Sequence, residues 1–193
     1  MRRKANVNKN KGYWQSDNPP HVTTKDISNI LLNFCIENNI KSIVDFGCGE
    51  GTYITQLINQ LKLNKYDAFD GNPYTPKLTN NIGKVKDLSV PFNLNYKYDL
   101  VYSLEVAEHL PPIHENVYVN NLLKHLKKHL IISWAPIGQG GSGHYNEQNN
   151  DYVINLFQKH GLKFQDLKTE EFRSYKFSKC PWFRNSLLYF IKY

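Results

Sequence analysis

The chain has 193 residues, of which 24 are Lys or Arg and 17 are Asp or Glu, so it carries a formal net charge of +7. A hydrophobic content of 40% fits one globular domain with a sizeable core. No apolar run reaches ~18 residues and the basic start lacks an apolar stretch, so we expect no membrane helix or secretory signal. The three widely spaced cysteines favour a reducing, cytoplasmic setting.

The first 22 residues are polar and without periodicity, which predicts a flexible N-terminal segment with a short cover near Tyr13 and Trp14. Basic residues concentrate in residues 1–11 and again in 124–129. Such a surface favours phosphates or nucleic acid, although a solvated helix face explains it as well. Abundant Asn, Lys and Ile indicate an AT-rich genome.

Periodicity predicts alternating strands and helices from residue 23 onward. A helix begins at Thr23 or Thr24, another covers 51–62, a third follows Pro111 and Pro112, and a fourth ends at Gly161. The predicted strands are short runs rich in apolar residues, at 41–46, 65–70, 83–87, 98–103, 130–134, 162–167 and 186–192. This alternation predicts a parallel sheet with helices on both faces.

A glycine-rich turn joins the first strand to the next helix. The stretch from Ser42 to Thr52 reads S-I-V-D-F-G-C-G-E-G-T, with Asp45 near the end of the strand. Alternate glycines allow a tight turn and a close approach of backbone to ligand, as in nucleotide-binding βαβ units. A turn that binds nothing is the simpler alternative. The third glycine of the dinucleotide fingerprint is missing, which argues against an NAD-dependent oxidoreductase.

The D-x-G-x-G-x-G pattern resembles motif I of the class I S-adenosylmethionine (SAM) methyltransferases. Residues 98–110, ending in S-L-E-V-A-E-H-L, resemble the motif IV region of the same family. The glycine-rich loop of residues 136–148 and the segment 182–188 resemble a subgroup of small methyltransferases from bacteria, phages and large DNA viruses. Ile137 departs mildly from that subgroup's loop.

The resemblance implies a single-domain α/β fold over residues 23–193. It would be a Rossmann-like three-layer sandwich with a mostly parallel seven-stranded sheet and an antiparallel last strand. SAM would be the cofactor and S-adenosylhomocysteine the product. Asp70, at the end of the second strand, would bind the ribose hydroxyls, although it could simply cap the turn at Gly71. Asp87 and Leu88 would hold adenine. The implied cofactor-binding residues are Asp45, Gly47, Cys48, Gly49, Gly51, Asp70, Gly71, Asp87, Leu88, Ser103, Leu104 and Glu105.

The candidate catalytic residues are Glu105, His109 and His144. The two roles left open for His109 are a general base and a packing residue. His144 shares a polar loop with Glu147, where helix capping is the alternative role. We interpret four other histidines as surface or helix residues: His114, His125, His129 and His160. No metal constellation is visible, which predicts metal independence.

The predicted reaction is in-line displacement of the sulfonium methyl by an oxygen, or a nitrogen, of a small-molecule or sugar acceptor. Base-directed DNA methylation is disfavoured because Ser103 to Val106 stand where N/D-P-P-Y/F would be expected. An RNA acceptor, including a cap ribose, is an alternative that the basic charge favours. A catalytically silent binding protein with the same fold is the second alternative, against which the intact glycine loop and Asp70 argue. We expect no membrane association, and the oligomeric state is open.

Overall fold

The computed structural model describes residues 7–193, so the first six residues of the predicted N-terminal segment lie outside it. The strands are β1 (Ser42–Phe46), β2 (Lys65–Asp70), β3 (Lys84–Val85), β4 (Tyr98–Ser103), β5 (Leu126–Ser133), β6 (Leu162–Phe164) and β7 (Leu187–Lys192). The helices are α1 (Lys25–Glu37), α2 (Thr52–Gln60), α3 (Thr75–Leu78), α4 (Glu115–His125), α5 (Asn150–Lys159), α6 (Asp166–Arg173) and α7 (Phe183–Ser186). Two 3-10 turns, Ala107–His109 and Pro112–His114, lie between β4 and α4.

The seven strands form one sheet in the order β3-β2-β1-β4-β5-β7-β6. The first five strands pair in parallel, and β7 runs antiparallel to both β5 and β6. The predicted fold class is confirmed, including the antiparallel last strand. The strand order reverses at β1, whose two neighbours are β2 and β4. In open α/β sheets this switch point is where ligands bind, beyond the carboxyl ends of the strands.

Apolar side chains pack on both faces of the sheet. One cluster includes residues of α1, α2 and α7, and the other includes residues of α4 and α5. Phe34 of α1 contacts three rings edge-on, those of His129, Phe172 and Tyr189, at centroid distances of 5.2, 5.9 and 5.1 Å. This contact joins α1, α6 and two strands, so Phe34 is a central residue of its layer.

The interpretation of His125 and His129 as surface or helix residues holds for His125, which lies in a helix, and is wrong for His129, which is a buried strand residue. His125 is buried at the end of α4, and His129 is buried within β5, which begins at Leu126 rather than at residue 130. Burial is possible because both rings are hydrogen-bonded. Nδ1 of His125 lies 2.6 Å from the carbonyl oxygen of Asn121, and Nδ1 of His129 lies 2.8 Å from the hydroxyl of Tyr189.

The sixth strand is shorter than predicted, and a helix follows it. The predicted strand 162–167 ends at Phe164, and α6 begins at Asp166. Leu167 prolongs the apolar pattern in the sequence, but its side chain is 87% exposed. The buried residues of α6 are Thr169 and Phe172, a spacing of one helical turn.

Two further features place the functional site. Residues 7–22 run across the carboxyl edge of the sheet, where they contact the ends of β2 and β4. Within residues 7–193, none of the helices combines the length and the apolar character needed to cross a membrane.

We predict that Phe34→Ala lowers the free energy of unfolding by ~3–5 kcal/mol, because it leaves a cavity among three packed rings. Ile36→Ala, in the same helix but with a 62% exposed side chain, should cost no more than ~0.5 kcal/mol. Urea denaturation of both variants measures the difference. Equal destabilisation by the two substitutions would contradict the described packing.

Candidate functional site

A cavity of about 470 Å³ opens at the carboxyl ends of β1, β2 and β4. Its walls come from the glycine loop after β1, the turn after β2, the segment after β4 and the loop of residues 139–144. The N-terminal segment supplies a further wall through residues that include Tyr13 and His21, and Trp182 and Phe183 also line the cavity. The cavity therefore lies at the switch point of the sheet and is lined by the predicted motifs.

The glycine loop is held by the neighbouring strand. The backbone N–H groups of Gly47 and Cys48 donate to the carbonyl of Phe69, at 2.7 and 3.0 Å. Gly47 has a φ of +92°, and a Cβ there would lie 2.1 Å from Cγ2 of Val106. A side chain is therefore excluded for two reasons, the left-handed backbone and the close approach of the segment after β4.

Asp70 connects the glycine loop to the turn after β2. Its carboxylate accepts hydrogen bonds from the backbone N–H of Gly49 at 2.9 Å and from that of Asn72 at 2.8 Å. The residue also lines the cavity. Because a carboxylate has about four acceptor positions, Asp70 can still accept hydrogen bonds from two ligand hydroxyls. The capping role and the ligand role that the sequence left open are thus geometrically compatible.

Asp45 lies beneath the loop. It is buried, and the hydroxyl of Tyr102 donates to its carboxyl group at 2.8 Å. Burial raises the pKa of Asp45 to about 8, although the hydrogen bond from Tyr102 acts in the opposite direction. Asp45 contributes to the floor of the cavity beside Gly47 and Gly49.

Most predicted cofactor residues line the cavity, and three do not. Those in its wall are Asp45, Gly47, Cys48, Gly49, Asp70, Gly71, Leu88, Leu104 and Glu105. Outside it, Gly51 precedes α2 as its N-cap residue with a φ of +72°. The hydroxyl of Ser103 donates to the carbonyl of Phe46 at 2.5 Å and accepts from Tyr118 at 2.7 Å, within the core.

Asp87, the predicted adenine ligand, is the third residue outside the cavity wall, and its carboxylate already has protein partners. One carboxylate oxygen is ion-paired with Lys11, and the other accepts from the backbone N–H and the hydroxyl of Ser89 at 2.9 and 2.6 Å. These contacts lower the pKa of Asp87 against the opposing effect of its burial, which is the largest single contribution. Leu88, its neighbour, does line the cavity. Leu88 can therefore contact a ligand in the cavity, and its contact with adenine stays a prediction.

Glu105 has a strained backbone at the centre of the site. Its φ is +57°, a left-handed value that is uncommon for a residue with a side chain. Its backbone N–H donates to the hydroxyl of Ser133 at 2.7 Å, and that hydroxyl donates to the Glu105 carboxylate at 2.8 Å. Burial raises the pKa of Glu105 to about 7. Such strain persists where surrounding structure fixes it, often at functional sites.

His109 and His144 come together at one end of the cavity. Their rings are 4.9 Å apart at the centroids and nearly perpendicular. Nδ1 of His109 lies 3.0 Å from the carbonyl of Gly143, so it carries a proton, because a carbonyl can only accept. Nδ1 of His144 lies 2.9 Å from the carboxylate of Glu147. Burial, followed by the nearby His144, lowers the pKa of His109 to about 4.

Glu108 completes this group, although it was not among the predicted site residues. Its carboxyl group is fully buried, and neither oxygen has a hydrogen-bond partner among residues 7–193. One possible ligand atom from each of Glu108, His109 and His144 lies within 4.8 Å of the other two. The backbone N–H groups of Tyr145 and Asn146 donate to the Glu108 carbonyl at 2.8 and 3.0 Å, so the loop that carries His144 is held beside Glu108.

The arrangement of these three side chains suits a divalent cation. A histidine that donates Nδ1–H to a carbonyl or carboxylate presents Nε2 in a fixed orientation, which is the usual outer shell of a metal-binding imidazole. A carboxylate beside two imidazoles is a common donor set for first-row metals. The sequence signal was the adjacency of Glu105, Glu108 and His109, but only the fold brings His144 to them.

The family model described as "Methyltransferase domain" matches residues 21–163. The chain belongs to the methyltransferase domain family. No curated protein matches the sequence significantly. The match contains the glycine loop, Asp70 and the Glu105–His109 segment, all of which line the cavity at the switch point.

Several solved methyltransferase structures share the fold. A SAM-dependent methyltransferase from Clostridium acetobutylicum superposes with a TM-score of 0.63 at 16% identity, covering 88% of this chain and 91% of that one. Magnesium protoporphyrin IX methyltransferase from Synechocystis, with bound S-adenosylhomocysteine, has a TM-score of 0.62 at 14% identity, covering 92% and 90%. The small RNA methyltransferase HEN1 has a TM-score of 0.68 at 15% identity, covering 92% of this chain but 27% of that one.

Family membership makes this chain a SAM-dependent methyltransferase, with SAM as its cofactor. The cavity fits that cofactor, because the backbone of Gly47 and Gly49 and the carboxylate of Asp70 line the same space at the carboxyl ends of β1 and β2.

We predict that Gly47→Ala weakens binding of S-adenosylhomocysteine at least ~10-fold, because Val106 is β-branched and cannot easily move away from the new methyl. Gly138→Ala is the matched control: its φ is +90°, but a Cβ there would meet nothing within 4 Å. Isothermal titration measures both. Val106→Ala should recover part of the loss in the Gly47→Ala background. Similar losses for Gly47→Ala and Gly138→Ala would mean that backbone strain alone is responsible.

We predict that Asp70→Ala weakens S-adenosylhomocysteine binding by ~1.5–3 kcal/mol, since hydrogen bonds to a charged group are removed. Asp151→Ala, at an exposed position in the first turn of α5, should leave the affinity unchanged. Titration should be paired with a melting curve, which we expect to remain cooperative. Unchanged affinity in a normally folded Asp70→Ala variant would show that another acid binds the ribose.

Proposed function

We propose that this methyltransferase moves the methyl group of SAM to a hydroxyl oxygen of a small-molecule or sugar acceptor, with a divalent cation held by Glu108, His109 and His144. The buried Glu108 carboxyl without a partner, beside two oriented imidazoles, is the observation that carries the proposal. The catalytic unit would span residues 23–193.

The position of the cofactor follows from the motifs. The glycine loop would hold the methionine portion, Asp70 the ribose hydroxyls, and Leu88 the adenine ring. The methyl group would then face the segment after β4, where Glu105 and His109 line the cavity. This leaves the end of the cavity near His109 and His144 for the acceptor.

The cation would account for the unusual state of Glu108. A buried carboxyl group without hydrogen bonds costs of the order of 1–3 kcal/mol or more, and burial raises the pKa of Glu108 well above its ordinary value. A bound cation would remove that cost by pairing the carboxylate. It would also lower the pKa of a nearby acceptor hydroxyl. The metal independence expected from the sequence is therefore replaced by a cation-assisted proposal.

The chain's own residues would orient the acceptor and receive its proton. In the reaction the acceptor oxygen forms a bond to the methyl carbon as the carbon–sulfur bond breaks, which gives S-adenosylhomocysteine and the methylated acceptor. Such a transfer depends chiefly on alignment. The acceptor proton must leave, and Glu105, with a pKa raised to about 7 by burial, is suited to accept it near neutral pH. Walls that include Trp14 and Val106 would exclude water.

An RNA acceptor is the second candidate. The formal net charge of +7 favours a polyanion, and a ribose presents the same kind of hydroxyl as a sugar. The fold shared with the small RNA methyltransferase HEN1 is consistent with this candidate. We also propose that the chain belongs to the subgroup of small bacterial, phage and viral methyltransferases. Its proposed location is the cytoplasm.

We predict that EDTA abolishes methyl transfer and that Mn²⁺ or Mg²⁺ restores it. Labelled SAM should be offered with sugars, nucleosides, small phenols and short RNA, with and without EDTA. Glu108→Gln and His144→Ala should each lower turnover ~10²-fold or more, since the cation contributes several kcal/mol.

S-adenosylhomocysteine affinity should change less than 2-fold in both variants, because the glycine loop and Asp70 hold the cofactor. Glu37→Gln and His160→Ala, at exposed helix ends, serve as controls. Full activity in EDTA together with an active Glu108→Gln variant would contradict the role of the cation. Labelling of RNA but of no small acceptor would favour the second candidate.

A further inference from the structure

Residues 7–22, which we call the strap, begin with a closed turn. Val7 and Trp14 face each other across an antiparallel bridge, and the backbone N–H of Asn8 donates to the carbonyl of Tyr13 at 2.8 Å. The N–H of Gly12 donates back to the carbonyl of Asn8 at 2.7 Å. The residues at the tip of this turn therefore have a defined orientation toward the cavity.

The strap contacts the wall that would surround adenosine. The ring of Tyr13 lies against Gly71 so closely that a Cβ on that glycine would be 2.2 Å from Cδ1 of the tyrosine. Lys11 forms an ion pair with Asp87, which is 76 positions away in sequence. Gly71 follows β2, the strand that ends at Asp70, and Asp87 follows the neighbouring strand β3, so both contacts lie beside Asp70. Tyr13 and Lys11 themselves line the cavity.

The same turn also contacts the acceptor side. A Cβ on Gly12 would lie 2.4 Å from the carbonyl oxygen of His109. The ring of Trp14 meets the His109 ring edge-on, at a centroid distance of 6.3 Å. Gly12 has a φ of +81°, so a side chain at this position would be both strained and obstructed. The turn is thus fitted against the segment after β4.

Further contacts hold the remainder of the strap. The side-chain amide of Asn72 donates to the carbonyl of Ser16 at 2.7 Å. The ring of His21 lies above Gly49, where a Cβ would be 2.7 Å from Nδ1, and this nitrogen is buried without a hydrogen-bond partner among the described residues. The strap consequently crosses the cavity from the segment after β4 to the glycine loop.

From these contacts we propose that Tyr13 and Lys11 are cofactor-positioning residues of the adenosine half of the site. This inference rests on the proposed placement of SAM. The Tyr13 ring covers the adenosine and contributes apolar contact, while the Lys11–Asp87 pair holds the turn in place. Asp87 then acts on adenine indirectly, through Lys11, which explains why its carboxylate is occupied by protein partners. Because the strap lies across the cavity, the cofactor exchanges only when this turn lifts.

Titration with S-adenosylhomocysteine and with adenosine tests the proposal. Tyr13→Ala should weaken both ligands by the same factor, about 10-fold or more, because the lost contact involves only the part they share. Lys11→Ala should weaken both about 3- to 10-fold. Lys77→Ala is the matched control, because it removes an exposed ion pair between Asp17 of the strap and α3, outside the cavity wall, and should leave both affinities within 2-fold.

Two results would overturn the proposal. Unchanged affinities in a folded Tyr13→Ala variant would show that the strap does not contact the cofactor. A loss for S-adenosylhomocysteine without a loss for adenosine would place Tyr13 at the methionine end instead. If the unaltered protein binds neither ligand, the proposed placement of SAM is wrong, and this outcome can be distinguished from the two results above.

Limited trypsin digestion of the unaltered protein is a test that does not depend on whether a variant folds. Saturating S-adenosylhomocysteine should slow cleavage after Lys11 at least about 10-fold in the unaltered protein, because the ligand holds the turn closed. Cleavage after Lys159, which is exposed at the end of α5 and lies outside the cavity wall, should be unaffected and is the internal control. Equal rates at Lys11 with and without ligand would contradict a strap that must lift.

Discussion

The structure depends on one constraint, the close approach of the Val106 side chain, after β4, to the backbone of Gly47, after β1. Val106 occupies the space where Gly47 would have a side chain. The carbonyl of Phe69 and the carboxylate of Asp70 then fix the same loop from the other side. Three neighbouring strands therefore end at a single point, and the cavity is the space that remains above it. A larger residue at Gly47 would separate the strands' ends and open the site.

The site combines this rigid base with polar groups that are buried at a cost. Glu105 has a left-handed backbone, and Glu108 has a carboxyl group without a partner in the described chain. Folding alone does not favour either state. A cofactor and a cation that bind the native state would offset these costs, since a ligand stabilises the state to which it binds. The strained groups are thus most simply explained as parts of a site that is complete only when its ligands are present.

The sequence predicted the parts that local patterns determine. The ranges of β2 and β4 agree with the predicted runs because turn residues bound the first and the motif IV run defines the second. The glycine loop was found because its backbone geometry needs glycines at fixed positions. The start of β5 was missed, because a buried His129 next to exposed lysines looks like a helix face in sequence.

The parts that were missed depend on contacts between distant residues. Lys11 and Asp87 meet across 76 positions, and His109 and Gly143 across 34. No local pattern encodes these distances. The sequence predicted a short cover near Tyr13 and Trp14, but the Lys11–Asp87 pair and the grouping of Glu108 with two histidines appear only in the fold. Asp87 shows the same limit, since its place after β3 was correct but its partner could not be foreseen.

A crystal structure with S-adenosylhomocysteine and Mn²⁺ tests the central claim most directly. The account predicts an anomalous manganese peak bonded to Glu108, His109 and His144, with the sulfur of the ligand facing Glu105 and its ribose on Asp70. Ligand density elsewhere, or a well-ordered ligand with no manganese peak between these three side chains, would contradict it.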